Sequence, residues 1–489
     1  MSFPILSVIV FTPIVTALVI LLLPAERKRA IRWTALAGAV LALLLSVVTY
    51  FSYDIHAGGY QFVEKVPWVP EWGISYHVGV NGLNLPLVLL TGLVMFTGVL
   101  ISWGMEERPR EFFAFLFILA TGVFGAFVSL DMFQLFFFYE MAVFPMYLLI
   151  SLWGWPKMRE YAAMKLTLYL FVGSMLALVG ALAMYFASGL HTFDMLVLEH
   201  AGFTVAFQRL WFPVVFLGFA VLGGLFPFHN WSPDGYAAAP TAASMFHAGV
   251  LKNLGAFAAL RVGIMLLPEG ARFHMSWVIL LALINVIYAS LIAMVQTDLK
   301  YVIGFSSVSH MGLVMLGLAS LSPLGYLGAG LQMFSHGVMT ALFFAVVGMV
   351  YDRAHTREIP KLGGFAKKMP LAAIAFILGG LASMGMPGLS GFVAEFPLLL
   401  GVWQRYPLVA IVACVGVVVT AAYILLLIRR VFFGTMPAEL ERQVGDITVL
   451  DKVALGLLAF ILLALGLYPT WMAPLVQSGV AGVMRLLGA

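Results

Sequence analysis

The sequence predicts an all-α integral membrane protein with about 14 transmembrane helices. Three observations carry that prediction: the composition, the division of the chain into apolar stretches, and the placement of the basic residues. Of the 489 residues, 63% are hydrophobic and 10% charged, against about 45–50% and about 25% in an ordinary soluble domain. Mean hydropathy is +1.04. A water-soluble fold cannot hide that much apolar surface. A secreted scaffold, a nucleic-acid binder and a disordered chain are excluded together. A single cysteine, Cys414, excludes an internal disulfide, a Cys-ligated iron–sulfur cluster and a CxxCH haem site on this chain.

Charged and Pro/Gly-rich breaks divide the chain into apolar stretches near 3–23, 30–52, 82–104, 111–130, 132–153, 161–187, 210–228, 240–266, 275–296, 301–320, 324–351, 370–404, 408–432 and 449–474. Each is long enough to cross roughly 30 Å of hydrocarbon. The first lacks a preceding basic stretch and a small-residue cleavage pattern, so it reads as a retained helix rather than a signal peptide. The stretch 370–404 is too long for one straight helix and carries Gly385-Met386-Pro387-Gly388-Leu389-Ser390-Gly391 at its middle, which reads as a break. The segment 54–81, with Pro67-Trp68, Pro70 and Trp72, reads as a loop along the outer interface.

The basic residues test this division. Nineteen of the 26 Lys and Arg follow odd-numbered stretches; five follow even-numbered ones or lie near the C-terminus. The remaining two, Lys252 and Arg261, lie deep inside the eighth stretch. The asymmetry places the odd-numbered loops in the cytoplasm, both termini outside, and the chain in the cell's inner (plasma) membrane. The net charge of +4 follows from that asymmetry and is no nucleic-acid footprint.

Ionisable groups at mid-bilayer cost roughly 2.5–3.5 kcal/mol or more, so each invites a functional reading. Glu140 lies midway along the fifth stretch, five residues before Pro145, which loosens the helix beside it. It reads as a proton-carrying carboxylate or as a structural acid tied to a neighbouring helix. Glu395 follows the Gly/Pro break by one turn, where a half-helix N-terminus favours a carboxylate. Lys252 is the one lysine deep in a stretch and reads as a proton exchanger or as half of a permanent ion pair. Gln332, His336 and Thr340 are spaced by four, as are Ser306 and His310; Asn285 and Tyr288 are three apart. Such stripes hold either a water chain or interhelical bonds worth about 0.6 kcal/mol each. His229 and His247 lie nearer the ends of their stretches. The sequence has no GxGxxG, Walker A, HExxH or CxxC pattern, so energy must arrive from a partner or an ion gradient.

Several runs resemble the antiporter-like membrane subunits of respiratory complex I (NADH–quinone oxidoreductase), most closely the M type, known as chain 4 in mitochondria. They are Phe136-Phe137-Phe138-Tyr139-Glu140-Met141 with Pro145-Met146-Tyr147, Ser151-Leu152-Trp153-Gly154, and Pro227-Phe228-His229-Asn230-Trp231-Ser232-Pro233-Asp234 with Ala239-Pro240-Thr241. Gln296-Thr297-Asp298-Leu299-Lys300, Ser306-Ser307-Val308-Ser309-His310-Met311-Gly312, and Gly385-Met386-Pro387-Gly388 with Phe392-Val393-Ala394-Glu395-Phe396 complete the set. The resemblance implies two inverted five-helix repeats, each with a broken helix. It implies an organisation of residues 1–110 (helices 1–3), 111–266 (first repeat), 275–432 (second repeat) and 433–489 (the last helix). It implies proton translocation driven by redox chemistry in partner subunits. No cofactor is expected on this chain; NADH or another donor, FMN, iron–sulfur clusters and quinone belong to partners, and L-, N- and K-like subunits would be its neighbours in the bilayer. Glu140, His310, His336 and Glu395 match site residues of the family, and Lys252, singled out by its own place deep in a stretch, completes the expected set.

Two departures qualify the resemblance. The family's seventh-helix lysine is replaced by Leu222, and no lysine lies between Lys165 and Lys252. Aligned on His229 and Arg261, Asn253 rather than Lys252 occupies the family's eighth-helix lysine position, and one residue turns a helix face by about 100°. Either the long stem of Lys252 or a local bulge brings it to the axis, and Lys165 is a candidate substitute partner for Glu140. The alternatives are a subunit of a multi-subunit cation/proton antiporter and a structural paralogue that assembles without pumping.

Overall fold

The computed structural model describes residues 3–488. α1 (Ile5–Leu22) and α2 (Lys28–Ser52) are followed by an antiparallel hairpin of β1 (Gln61–Val69) and β2 (Ile74–Val80). Where the sequence predicts a loop, the structure forms a hairpin. Its turn is a 3-10 segment, Pro70–Trp72, closed by Gly73 in the left-handed conformation, and Val/Trp/Tyr-rich arms flank it.

The first half continues through α3 (Leu85–Ile101), α4 (Pro109–Val128), α5 (Met132–Trp153), α6 (Arg159–Ser188), the single turn α7 (Met195–Leu198), α8 (Val205–Gly223), α9 (Trp231–Ala238), α10 (Thr241–Phe246) and α11 (Lys252–Ala258). The second runs through α12 (Pro268–Val295), α13 (Leu299–Ala319), α14 (Pro323–Ala354), the turn α15 (Phe365–Lys368), α16 (Pro370–Ser383), α17 (Ser390–Arg405) and α18 (Pro407–Val431). α19 (Ala438–Gln443), α20 (Val449–Leu467) and α21 (Ala473–Leu486) close the chain.

Among the described residues, eleven helices are long and apolar enough to cross a membrane. The other three predicted stretches are helical too, but short or interrupted. α3 has 17 residues. α10 and α11 form one rod with a π-helical turn between them, His247–Leu251, and another after, Ala259–Ile264. The stretch 370–404 is α16 and α17, parted at Met384–Leu389 as the Gly/Pro run predicts. A second break parts α8 from α9. α21 lies almost wholly beyond the last predicted stretch. Its signal is the buried stripe Leu475, Val476, Gly479, Val480 and Val483, at three- and four-residue spacing, diluted by Gln477 and Ser478.

One local device recurs. Asp131 caps α5 by accepting from the Phe133 and Gln134 amides, and Asp298 caps α13 by accepting from those of Lys300 and Tyr301. Each cap is also bridged to a later strand-like residue, Asp131 to Asp194 and Asp298 to Glu358. Burial is uneven. The most apolar window of α14 is wholly buried and that of α13 nearly so, whereas α2, α6, α18 and α20 bury well under half of theirs. α13 and α14, which carry the polar stripes, therefore form the centre, and the others present apolar sides outward.

Candidate functional site

α13, α14 and the second helix break enclose Glu395. The carboxylate is 4% exposed, and its Oε1 accepts from Gln332 Nε2 at 3.0 Å. His310 Nε2 lies 3.7 Å from the same oxygen. A Cβ added to Gly385, at φ +68, would lie 3.0 Å from Glu395 Oε2, so the acid is packed directly into the break. Glu395 is the sixth residue of α17. Helix-end charge fades within the first turn, so Gln332 and His310, not the half-helix N-terminus, hold the group.

His310 Nδ1 is 2.8 Å from the Ser306 carbonyl, and its Nε2 is 3.1 Å from the Ser383 carbonyl. Carbonyls only accept, so both contacts are hydrogen bonds only when both ring nitrogens carry protons. The Ser383 hydroxyl, 3.4 Å from Nε2, can donate to that nitrogen when it carries no proton, so the pocket accommodates the ring in either state. The His336 ring stacks 5.8 Å from that of His310, and His336 Nε2 is 3.1 Å from Ser307 Oγ. Tyr423 on α18 donates to Ser306 Oγ at 2.8 Å. Tyr423, Ser307 and Ser383 escaped sequence reasoning, because a lone hydroxyl in an apolar helix carries no spacing signal.

Lys252 is 0% exposed and reaches the first break. Its Nζ donates to Ser232 Oγ at 3.3 Å and lies 5.5 Å from the centre of the Tyr236 ring. A Cβ on Gly224, at φ +72, would stand 2.7 Å from Lys252 Cε and 3.1 Å from Nζ. Gly224 caps the C-terminus of α8, where unpaired carbonyls favour a cation. Asn253 turns the other way and donates to the Met333 carbonyl of α14 at 2.8 Å. The register question is thereby resolved: both residues are buried, Lys252 faces the first break and Asn253 the second half. The π-helical turn immediately before Lys252 sets that rotation. Lys252 lies within electrostatic reach of His229, His247, His310 and His336.

Asn285 braces the first break. Its Oδ1 accepts from the Phe226 amide at 2.8 Å and its Nδ2 donates to the Gly224 carbonyl at 2.9 Å. Tyr288, its stripe partner, packs on Phe226 and His229 and is 38% exposed. This ninth-stretch pair therefore holds the break rather than lining the polar axis.

Glu140 stands apart. Phe137 and Phe144, three residues before it and four after, are 40% and 64% exposed, so its face of α5 looks out of the subunit. Its Oε1 has no hydrogen-bond partner among the described residues, and Ser174 of α6 is the hydroxyl beside it. Lys165 is not its partner: Nζ pairs with Asp234 Oδ2 at 2.6 Å, and Tyr301 donates to the other oxygen of Asp234 at 2.7 Å.

Residues 129–420 match the family described as NADH:quinone oxidoreductase/Mrp antiporter, TM. The chain belongs to that family. It is 37% identical to NAD(P)H-quinone oxidoreductase chain 4 of Gloeobacter violaceus over 477 residues, covering 96% of this chain and 90% of the relative. It is also 37% identical to NADH-quinone oxidoreductase subunit M of Rhodobacter capsulatus, over 98% of this chain and 96% of the relative. Among solved structures it is similar to a chain of respiratory complex I from Thermus thermophilus with bound NADH: TM-score 0.91, 28% identity, and 99% and 100% of the two chains covered. A chain of the Mrp complex from Dietzia sp. shares the fold, with TM-score 0.88 at 20% identity and both chains fully covered. The antiporter-like membrane-subunit fold expected from the resemblance is thus established.

Proposed function

We propose that this member of the family is a proton-translocating membrane-arm subunit of an NADH–quinone oxidoreductase-type complex. The chain 4 and subunit M relatives, matched over nearly their whole length, favour this over a stand-alone cation/proton antiporter. Residues 111–266 and 275–432 act as two repeats; the duplicated Asp cap and bridge, and one helix break in each half, support that division. NADH oxidation, FMN, iron–sulfur clusters and quinone lie on partner subunits, with L-, N- and K-like chains as neighbours. The chain sits in the cell's inner membrane with both termini outside.

One observation carries the mechanism. Each helix break holds one buried titratable group against a left-handed glycine, Lys252 at Gly224 and Glu395 at Gly385. The two histidines of α13 and α14 lie between them. Lys252 is the central relay, taking the place left by Leu222. His336 and His310 pass the proton on, and Glu395 is the exit group. When His310 holds both protons it donates to both carbonyls, and when it releases the one on Nε2 the Ser383 hydroxyl, 3.4 Å away, can donate to that nitrogen instead. Glu140, outward-facing and with no salt bridge among the described residues, is the switch that senses a neighbouring subunit.

The test is the number of protons moved per electron in proteoliposomes of the whole purified complex, wild type against Glu140→Gln. A clear fall is expected. An unchanged yield with assembly intact would leave the first half as a scaffold and confine any proton path to the half containing Glu395.

A further inference from the structure

A cavity of about 630 Å³ opens on the face bearing the loops after the third, fifth, ninth and eleventh predicted stretches, the cytoplasmic face by the basic-residue asymmetry. Its lining is charged: Glu106, Glu107, Arg159, Asp352 and Arg357 are on its walls, and Lys300 is among its innermost groups, only 5% exposed. Neither composition nor spacing singled out Lys300 beyond its place in a family-like run.

Among the described residues Lys300 is bonded to no carboxylate, and Asp298 and Asp352 act on it only from a distance. Nζ donates to the Ala239 carbonyl at 2.6 Å and reaches Ser244 Oγ at 3.4 Å. Ser244 is fully buried in α10, three residues from the cavity-lining Thr241. Its hydroxyl donates to the Tyr236 carbonyl at 2.9 Å. One turn further is His247, 0% exposed, whose two ring nitrogens have no hydrogen-bond partner among the described residues. Its ring packs at 5.3 Å on the Tyr236 ring, whose hydroxyl is likewise unpartnered. That same Tyr236 ring carries the Lys252 ammonium 5.5 Å from its centre.

Buried polar groups are almost always satisfied, by protein or by ordered water. Unpartnered polar atoms converging between a charged cavity and a buried ammonium mark a place for bridging water. An amine that donates to neutral acceptors can release a proton, because no carboxylate locks it in the charged form.

We propose that this cavity is the proton intake of the subunit, with Lys300 as its first buried carrier and Ser244 and His247 as the steps to Lys252. Lys300 hands one proton to the serine oxygen or a water on it as a second leaves that centre toward His247. The imidazole accepts on one nitrogen and releases from the other to the neutral Lys252 amine. Lys300 is then reprotonated from the cavity. No bond other than O–H and N–H changes. The inference rests on the pumping reading above and specifies where its protons come from.

The decisive variant is Lys300→Arg, because a guanidinium keeps the charge and the carbonyl bond but does not release a proton. Protons per electron are measured in proteoliposomes of the assembled complex, beside Lys252→Met. The expected result is a fall in Lys300→Arg as large as that in Lys252→Met. Wild-type yield in Lys300→Arg with a fall in Lys252→Met would overturn the intake and leave the pumping reading standing. Wild-type yield in both would overturn the pumping reading itself. Accessibility gives a second readout. In a Cys414→Ser background, Lys300→Cys should react with a membrane-impermeant, positively charged methanethiosulfonate from the cytoplasmic side only. Failure to react from that side, with the complex assembled, would likewise reject the intake.

Discussion

The two halves hold their buried charge in contrasting ways. In the second, an acid, an amide and two imidazoles form one closed cluster around Glu395, with every member on a neighbouring helix of the core. In the first, the acid and the cation are separated. Glu140 looks outward from α5, while Lys252 is pressed into the break behind α8 with a serine and an aromatic face for company. The breaks differ in support as well. Asn285 spans the first break with two hydrogen bonds, whereas the second is held by Glu395 and His310 themselves. A second half that carries its own counter-group can settle locally. A first half with a divided pair depends on what lies next to it, which suits an element that transmits a signal between subunits.

The largest effect that could break this comparison concerns the missing lysine. Lys252→Leu should remove proton transfer through the subunit, since it takes away the amine buried in the first break. Leu222→Lys in that background restores an amine to α8 at the position where the family carries one, two residues before the break. We expect the double variant to regain a substantial part of the lost yield, measured as protons per electron in the assembled complex. If it is as inactive as the single variant, the first half needs its lysine at position 252 itself, beside Ser232 and Tyr236. The idea of one amine replacing another would then be wrong.

A smaller effect separates the breaks themselves. Gly224→Ala and Gly385→Ala both force a side chain into left-handed backbone, at about 1–2 kcal/mol each. The new methyl differs in what it meets: the Lys252 stem at 2.7 Å in one case, a Glu395 oxygen at 3.0 Å in the other. Similar losses of thermal stability are expected, but a larger loss of proton yield for Gly224→Ala, because among the described residues a single 3.3 Å bond to Ser232 holds Lys252. Equal yields would mean that Lys252 is held more firmly than its single 3.3 Å bond implies.

How much of this was legible in the sequence follows from where the signals lie. The membrane class was readable from composition, and the second break and the buried Glu395, Lys252 and His310 because each violates the apolar rule of its surroundings. The Gly/Pro run at 385–391 named the second break outright; the first, through Gly223-Gly224 and Pro227, was known only by resemblance. The hairpin at 61–80 was missed because Pro67 and the charges Glu64 and Lys65 interrupt its alternation. The facing of Lys252 could not be read, because a π-helical turn adds a residue that a 3.6-residue period does not count. The exclusion of Lys165 as a partner of Glu140 needed the position of Asp234, 69 residues away.

The smallest predicted effect compares the duplicated caps. Burial pushes the Asp131 carboxyl up to about 6, against the backbone amides of Ser75, Gln134 and Phe133 that donate to it. Burial raises Asp298 as well, but there Arg357, with Nε 2.5 Å from the carboxylate, opposes it. A folded-state pKa above the unfolded value of about 3.9 favours folding fully below that value and loses the contribution as pH rises through about 6. Asn caps a helix about as well as Asp and does not titrate. Asp131→Asn keeps the two cap bonds through its oxygen but turns an amide NH2 onto the Ser75 N–H, a loss of about 1–3 kcal/mol that does not vary with pH. Wild type should gain on the variant as pH falls from 7 to 4, read as the difference between their melting temperatures in the same detergent. The carboxyl of the neighbouring Asp194 is raised by burial, but more strongly lowered by His77 and Lys65, so it is held well below the usual range and stays charged over that whole interval. It adds no slope of its own. A melting-temperature difference that is flat across the interval would show that Asp131 is ionised throughout. Its three backbone donors would then outweigh burial, and the two caps would be electrostatically alike.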